Sequence, residues 1–180
     1  MITKTLITSV AAIALFASAA QAQDPADLND LEIAHVAYTA DNIDIRYAHL
    51  ALAISENPAI QEFAATMIRD HEAANEQALA LLKKLNVDPQ DNFLSQQLLG
   101  QSEGIIARLS KLRGYEFDLA YAENELGYHQ AVNGLVNGSF IPNIDNAEVK
   151  VFFKKAAVIF GGHEKHAEMM VKSLKNNRMD

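Results

Sequence analysis

Apolar residues recur at helical spacing along almost the whole chain after residue 27, and the alternation typical of strands is hard to find. Helix-breaking residues interrupt the pattern at Asn57-Pro58, at residues 86–89, at Gly114 and at Asn137-Gly138. The pattern predicts four long helices and a shorter third one, over about residues 28–55, 58–85, 95–112, 115–136 and 147–175, with a loop at 139–146. We therefore predict an all-α fold, a ferritin-like up-down four-helix bundle with an additional short connecting helix.

The first 22 residues have the pattern of an export signal. Lys4 supplies a positive start, residues 6–17 are almost entirely apolar, and small residues frame the end in Ala20-Gln21-Ala22. The apolar run has about a dozen residues, whereas a membrane-spanning helix needs about 20. We therefore predict a signal peptide over residues 1–22, cleaved after Ala22, and a single bundle domain over residues 23–180 without a transmembrane segment.

The composition narrows the classes of function. The chain carries 15 basic and 23 acidic residues, a net charge of -8, and no basic stripe that would bind nucleic acid. It contains no cysteine, which excludes disulfides and thiolate metal sites. A hydrolytic triad and a glycine-rich phosphate loop are not recognisable. We therefore predict no catalytic residue and do not expect an enzyme.

Histidines interrupt the apolar seams of two predicted helices. In the second helix His71 follows Met67 by one turn, and in the last helix His163 and His166 continue the seam of Ile159. A buried imidazole needs partners for its ring nitrogens. Inward-facing acids and histidines of helical bundles hold metals such as iron, manganese and zinc. The seams therefore predict either a metal site or a hydrogen-bonded polar core.

Distances along the helices indicate which candidates lie at one level of the bundle. Asp44 and His71 are 13 and 14 residues from Asn57. At about 1.5 Å per residue, both lie roughly 20 Å from that turn, on antiparallel helices. Asp70 is the sequence neighbour of His71 and is expected to contact it or a ligand.

The same reasoning applies to the fourth and last predicted helices, if they meet at their shared loop without stagger. Glu125 then lies level with about Phe160, within one turn of His163, while Asp118 and Tyr121 fall near His166. The predicted metal ligands are Asp44, His71, Glu125, His129, His163 and His166, with Asp70, Asp118 and Tyr121 supporting them.

The remaining histidines and a glycine pair receive structural interpretations. Glu32-x-x-His35 is the only clean Glu-x-x-His pair, and we place it at the surface or the end of the bundle, two to three turns from Asp44. His49 is expected at the surface or the rim of the bundle. Gly161-Gly162 lies within a predicted helix, where each glycine costs about 1 kcal/mol relative to alanine. The pair predicts a kink or a close helix approach.

Two segments resemble the hallmarks of a known family. Residues 63–75 read FAATMIRDHEAAN, and residues 109–121 read LSKLRGYEFDLAY and are followed by His129. Both are similar to segments of the family called domain of unknown function 4142 (DUF4142), and His166 matches a histidine that this family carries near its end. The resemblance covers about residues 31–174.

The resemblance implies an exported, ferritin-like helical bundle in the periplasm and leaves its activity open. It implies polar core positions at Asp70, His71, Asp118, Tyr121, His129 and His166. The chain departs from the family pattern at three of the predicted ligands. Asp44 stands where glutamate is usual, Glu125 where methionine is more frequent, and His163 where an apolar residue is expected.

Two classes of function are consistent with the sequence. The first is a periplasmic metal-binding bundle, and the sequence does not separate iron or manganese storage, peroxide handling and metal buffering. The alternative is a non-enzymatic envelope-stress or interaction protein whose polar core is purely structural. A non-covalent haem site is a more distant alternative. Whether the protein forms a homo-oligomer, and which envelope partners it binds, stays open.

Overall fold

The computed structural model describes residues 23–177, and no strand occurs among them. A 3-10 turn at Pro25–Asp27 precedes the helices, and the predicted signal peptide lies outside the described residues. The helices are α1 (Asp30–Ile54), α2 (Pro58–Leu85), α3 (Phe93–Leu109), α4 (Gly114–Leu135), the single turn α5 (Ile141–Asn143) and α6 (Ala147–Asn177). The predicted all-α, ferritin-like fold class, with a shorter connecting helix, is confirmed.

Helix α3 returns the chain along the bundle, so that α1 and α6 run antiparallel to α2 and α4. The Ser55 hydroxyl donates to Asp118 at 2.5 Å, which joins the end of α1 to the start of α4. At the opposite end the Asp30 carboxylate accepts the backbone N–H groups of Asp145 and Asn146. Helix α1 packs on α2 and α4, and α6 packs on the same two helices.

Local sequence explains where the helices begin. The Asn29 side chain accepts the backbone N–H groups of Leu31 and Glu32, and the Glu32 carboxylate accepts the N–H of Asn29 at 2.9 Å. This reciprocal cap accounts for Glu32 at the end of the bundle. Asn57 caps α2, whose first residue is Pro58. Gly114 has a φ of +54°, a left-handed conformation that glycine adopts without strain, and it starts α4 after α3.

Two apolar clusters stabilise the bundle above and below its middle. The first lies towards the α1–α2 turn and includes Phe63, Met67 and Phe117. The second lies towards the other end and includes Ile33, Phe140, Ile144 and Phe153. Each large apolar side chain contributes about 1.5–3 kcal/mol when it is fully buried. Between these clusters lies a layer of buried acids and histidines contributed by all four long helices.

The end of α4 differs from the prediction. The chain does not leave the helix at Asn137-Gly138 but continues through a π-helical turn, Val136–Phe140, and through α5. The predicted loop at residues 139–146 is therefore wrong for residues 139–143. Helical continuation buries Phe140 and Ile144 in the second apolar cluster, and only residues 144–146 form the turn before α6.

The glycine pair in α6 also differs from the prediction. The helix is continuous from Ala147 to Asn177, and no atom outside the local helix lies within 4 Å of a Cβ built on Gly161 or Gly162. The predicted close helix approach is therefore wrong.

Within residues 23–177, no helix combines the length and the apolar character needed to cross a membrane.

Candidate metal centre

Five of the predicted ligands meet in the buried polar layer. Helix α1 contributes Asp44, α2 contributes His71, α4 contributes Glu125 and His129, and α6 contributes His163. Each of the five residues is at most 6% exposed. On α4, Glu125 and His129 lie one turn apart and therefore project from the same face. The layer thus joins all four long helices at one level.

The donor atoms of these side chains lie close together. His71 Nε2 is 2.7 Å from Asp44 Oδ2, and His129 Nε2 is 3.4 Å from the same oxygen. Nitrogens of His71, His129 and His163 lie within 4.8 Å of one another, as do donor atoms of Asp44, Glu125 and His129. Two donors bound to one ion at about 2.1 Å are at most about 4.2 Å apart. Shifts of less than an ångström would therefore bring the three atoms of either group onto one ion, and the two groups share His129.

Each histidine is held by one ring nitrogen, which leaves the other for the cluster. His71 Nδ1 lies 2.7 Å from the Asp41 carboxylate. His129 Nδ1 donates to the backbone carbonyl of Glu125 at 2.9 Å, and His163 Nε2 donates to Asp70 at 2.9 Å. Histidines that bind metals are usually fixed in this way through their second nitrogen.

Seven buried atoms face the cluster: Asp44 Oδ1 and Oδ2, His71 Nε2, Glu125 Oε1 and Oε2, His129 Nε2 and His163 Nδ1. None of them makes a hydrogen bond of good geometry among the described residues, although His71 Nε2 and Asp44 Oδ2 form an ion contact of 2.7 Å. An unsatisfied buried polar group costs roughly 1–3 kcal/mol. The atoms outside that ion contact would together cost on the order of 5 kcal/mol, which is a large share of the net stability of a domain, about 5–15 kcal/mol.

Electrostatics pair His71 with Asp44. Burial alone would lower the pKa of His71, but the Asp44 charge and the hydrogen bond to Asp41 raise it to about 10. Burial would likewise raise the pKa of Asp44, but the charge of His71 lowers it well below its ordinary value. Without a metal, a charged imidazole and a carboxylate therefore form an ion pair inside the cluster.

Burial favours the neutral forms of the other three side chains without a metal. Burial, reinforced by the Asp44 carboxylate, raises the pKa of Glu125 well above its ordinary value, which favours its protonated form. Burial lowers the pKa of His129, and it lowers that of His163 to about 4. Neutral imidazole is the form that binds metals. A cation would have to displace protons only from His71 and Glu125.

The remaining predicted residues lie outside the cluster. Asp70 holds His163, as its supporting role requires, although it faces α6 and not His71. Asp118 accepts from Ser55 near the α1–α2 turn, and neither Asp118 nor His166 belongs to the groups of close donor atoms. Tyr121 packs against the rings of Phe63 and Phe117, and burial together with the charges of Glu125 and Asp44 raises the pKa of its hydroxyl. This buried hydroxyl has no hydrogen-bond partner among the described residues.

His166 is half-buried in the C-terminal half of α6, where its ring packs edge-on against Phe63 with ring centroids 5.1 Å apart. The predicted pairing of levels between α4 and α6 is wrong. Phe160 lies level with Asn133, whose side chain donates to the Phe160 carbonyl, and not with Glu125. The helical residues up to Asn143 place the turn between the two helices later in the chain, which shifts their register by about two turns.

Two residues beside the cluster were not predicted. Asp41 holds His71 Nδ1, and its spacing of three from Asp44 is a signal that the α1 sequence offered, because i and i+3 share a helix face. Phe160 stacks on the His71 ring, with centroids 4.5 Å apart and an interplanar angle of 14°. Its seam neighbours are apolar, so nothing in the sequence marked Phe160 as adjacent to a site.

The fold and the cluster define a helical bundle whose core contains three histidines and two carboxylates. Helical bundles build their ligand sites from such side chains on facing helices. The model of the family Domain of unknown function (DUF4142) matches residues 15–170, and the chain belongs to this family. The resemblance found in the sequence is thereby confirmed.

A solved structure shares the fold. The crystal structure of a DUF305 fragment from Deinococcus radiodurans is similar to this chain with a TM-score of 0.70 and 16% sequence identity. The similarity covers 83% of this chain and 99% of that fragment. At this identity the similarity establishes the fold and carries no function. A comparison with curated proteins gave no match.

Proposed function

We propose that this protein is an exported metal-binding bundle that holds one transition-metal ion, iron, manganese or zinc, in the cluster of Asp44, His71, Glu125, His129 and His163. The three imidazoles supply nitrogen donors and the two carboxylates supply oxygen donors. This mixed set suits these three metals better than calcium or magnesium, which prefer oxygen alone.

One observation carries the proposal. Each of the three histidines has one nitrogen held by an acceptor while its other nitrogen faces the cluster, and the second nitrogens of His129 and His163 have no hydrogen-bond partner among the described residues. A hydrogen-bonded structural core would pair all of these nitrogens with carboxylates, as Asp44 does for His71. A cation in the cluster would give the unpaired atoms of Glu125, His129 and His163 a partner, which removes the cost of leaving them unpaired.

The proposal is tested by elemental analysis of the exported protein. The full chain is expressed with its leader, purified from the periplasm, stripped with a chelator and reloaded separately with Fe²⁺, Mn²⁺ or Zn²⁺. We expect about one ion per chain in the wild type and a loss of bound metal in His71→Ala. The matched control is His49→Ala, since His49 is an exposed histidine on α1.

Two outcomes decide between the proposal and a purely structural core. Wild-type protein that retains clearly less than one equivalent of all three metals overturns the metal centre. The structural alternative predicts that His71→Leu folds as well as the wild type and leaves the metal content unchanged. Export is tested on the same sample, because sequencing of the mature N-terminus should begin at Gln23.

A further inference from the structure

An apolar cavity lies beside the candidate metal centre. Among residues 23–177, Asp41 is the only polar residue that lines it, and the other lining side chains are apolar, among them Val132, Phe140, Ala157 and Phe160. The volume of the cavity is about 30 Å³. A water-sized molecule needs about 10–15 Å³ by the same measure. The cavity therefore accepts a molecule of two or three atoms and excludes an ordinary organic metabolite.

The cavity continues towards the histidines. A smaller void of about 10 Å³ is lined by His71 and His129, and it shares Ala40, Asp41, Val132 and Phe160 with the apolar cavity. The two spaces therefore meet at one common wall. The smaller void therefore lies between the cavity and the rings of His71 and His129, two of the three histidines of the cluster.

The cavity also continues towards the surface. A groove of about 270 Å³ between α2 and α6 shares Ala74, Phe152, Ala156 and Phe160 with the cavity. Phe160 is half-buried and borders the groove, the cavity and the void beside the histidines. The groove, the cavity and the void thus adjoin at the ring that stacks on His71.

We propose that this cavity binds a small uncharged diatomic molecule, of which dioxygen is the abundant example, and admits it to the metal centre. The apolar wall selects against ions and strongly hydrated molecules, because they would lose their hydrogen bonds to water without replacement. The small volume selects against larger apolar ligands. The delivery of the molecule to a metal rests on the proposed metal centre, whereas the cavity itself exists independently of a metal.

Nitric oxide is the probe for delivery to the metal, because it is an uncharged diatomic molecule whose complex with Fe²⁺ has a distinctive electron paramagnetic resonance signal. The Fe²⁺-loaded protein is mixed with nitric oxide without oxygen, and the rate of signal formation is followed. Ala157→Leu on α6 fills the cavity, and Ala37→Leu fills it from α1. We expect each variant to retain its iron but to form the signal more slowly than the wild type, by about tenfold or more. Ala65→Leu, on the exposed face of α2, is the matched control and should react like the wild type.

Xenon is the probe for the cavity alone. Metal-free protein exposed to xenon should bind it in the cavity, and Ala157→Leu should abolish that binding. Wild-type protein that excludes xenon overturns the inference, as does a filled variant that reacts with nitric oxide as fast as the wild type. Fully iron-loaded wild type without a nitrosyl signal also overturns it, and the metal centre then stands. Xenon binding in a protein that retains none of Fe²⁺, Mn²⁺ and Zn²⁺ overturns the metal centre instead.

Discussion

His163 and His166 lie on the same helix, one turn apart, but their surroundings are opposite in kind. The His163 ring is buried, is held by Asp70 and directs its other nitrogen into a cluster of unpaired atoms. His166 is half-buried and packs against Phe63 at the end of the bundle. Nearby, Asp118 has a partner in Ser55. A histidine on an apolar seam therefore indicates a ligand site only where its neighbours leave polar atoms unsatisfied.

The largest expected effect is on the rise in Tm that metal binding causes, and this rise should distinguish His163 from His166. An ion at 1,000 times its dissociation constant stabilises the folded state by about 4 kcal/mol. For a domain of this size, 1 kcal/mol corresponds to about 2–4 °C, so Tm should rise by roughly 8–16 °C when metal is added. His163→Ala should lose this rise and His166→Ala should keep it, as measured by calorimetry with and without metal. An equal rise in both variants would remove His163 from the ligand set.

The second prediction concerns Glu125 in the metal-free protein. The pKa of this carboxyl is raised on folding by burial and by Asp44. Its stabilising contribution is therefore complete below the ordinary pKa of 4.5 and is lost as the pH rises towards the raised value. Glu125→Gln cannot ionise, so its stability relative to the wild type should grow between pH 5 and pH 8, by up to about 4 kcal/mol at 1.36 kcal/mol per pH unit.

Urea unfolding in the presence of a chelator measures this difference at the two pH values. Glu123→Gln, on the exposed side of α4, controls for the amide substitution. With metal present the order should reverse, because an amide oxygen is a weaker ligand than a carboxylate. Parallel pH profiles for the wild type and Glu125→Gln would mean that Glu125 is already ionised in the folded protein.

The third prediction compares two buried aspartates, one beside the cluster and one in contact with Ser55. Asp41→Asn should weaken metal binding about 10–100-fold, because Asp41 orients His71 and increases its basicity. Asp118→Asn should leave the affinity unchanged, because Asp118 contacts Ser55 away from the cluster. Competition titrations with a metal-binding dye give both constants. A loss of equal size in Asp118→Asn would show that the two regions are energetically coupled.

The sequence predicted the fold well, because the hydrophobic period and the helix-breaking residues report directly on helix number and length. It also placed Asp44 level with His71, since the turn at Asn57-Pro58 is short and counting from it accumulates little error. The fold therefore followed from local chemistry, and so did the half of the cluster on the two helices that this short turn joins.

The other half of the cluster could not be placed by counting. The helical turns after Leu135 depend on Phe140 and Ile144 entering the core, and this tertiary gain overrides the Asn137-Gly138 stop signal. The register of α4 against α6 follows from that continuation, so the predicted position of His166 was wrong. Asp41 was missed for a different reason, because its partner nitrogen on His71 is defined only by the packing of α1 on α2.

The smallest expected effect concerns Gly161 and Gly162, which immediately precede His163. Open space surrounds both Cβ positions, so alanine fits at each without a clash and raises helix propensity. Gly161→Ala and Gly162→Ala should each stabilise the metal-free protein by about 1 kcal/mol in urea unfolding. Gly114→Ala is the opposite control, because alanine is strained at a φ of +54° and should destabilise the protein. If the α6 variants are stabilised and still show the full rise in Tm with metal, His163 binds from a regular helix. If instead they lose part of that rise, a bend at the glycines is needed to bring His163 onto the ion.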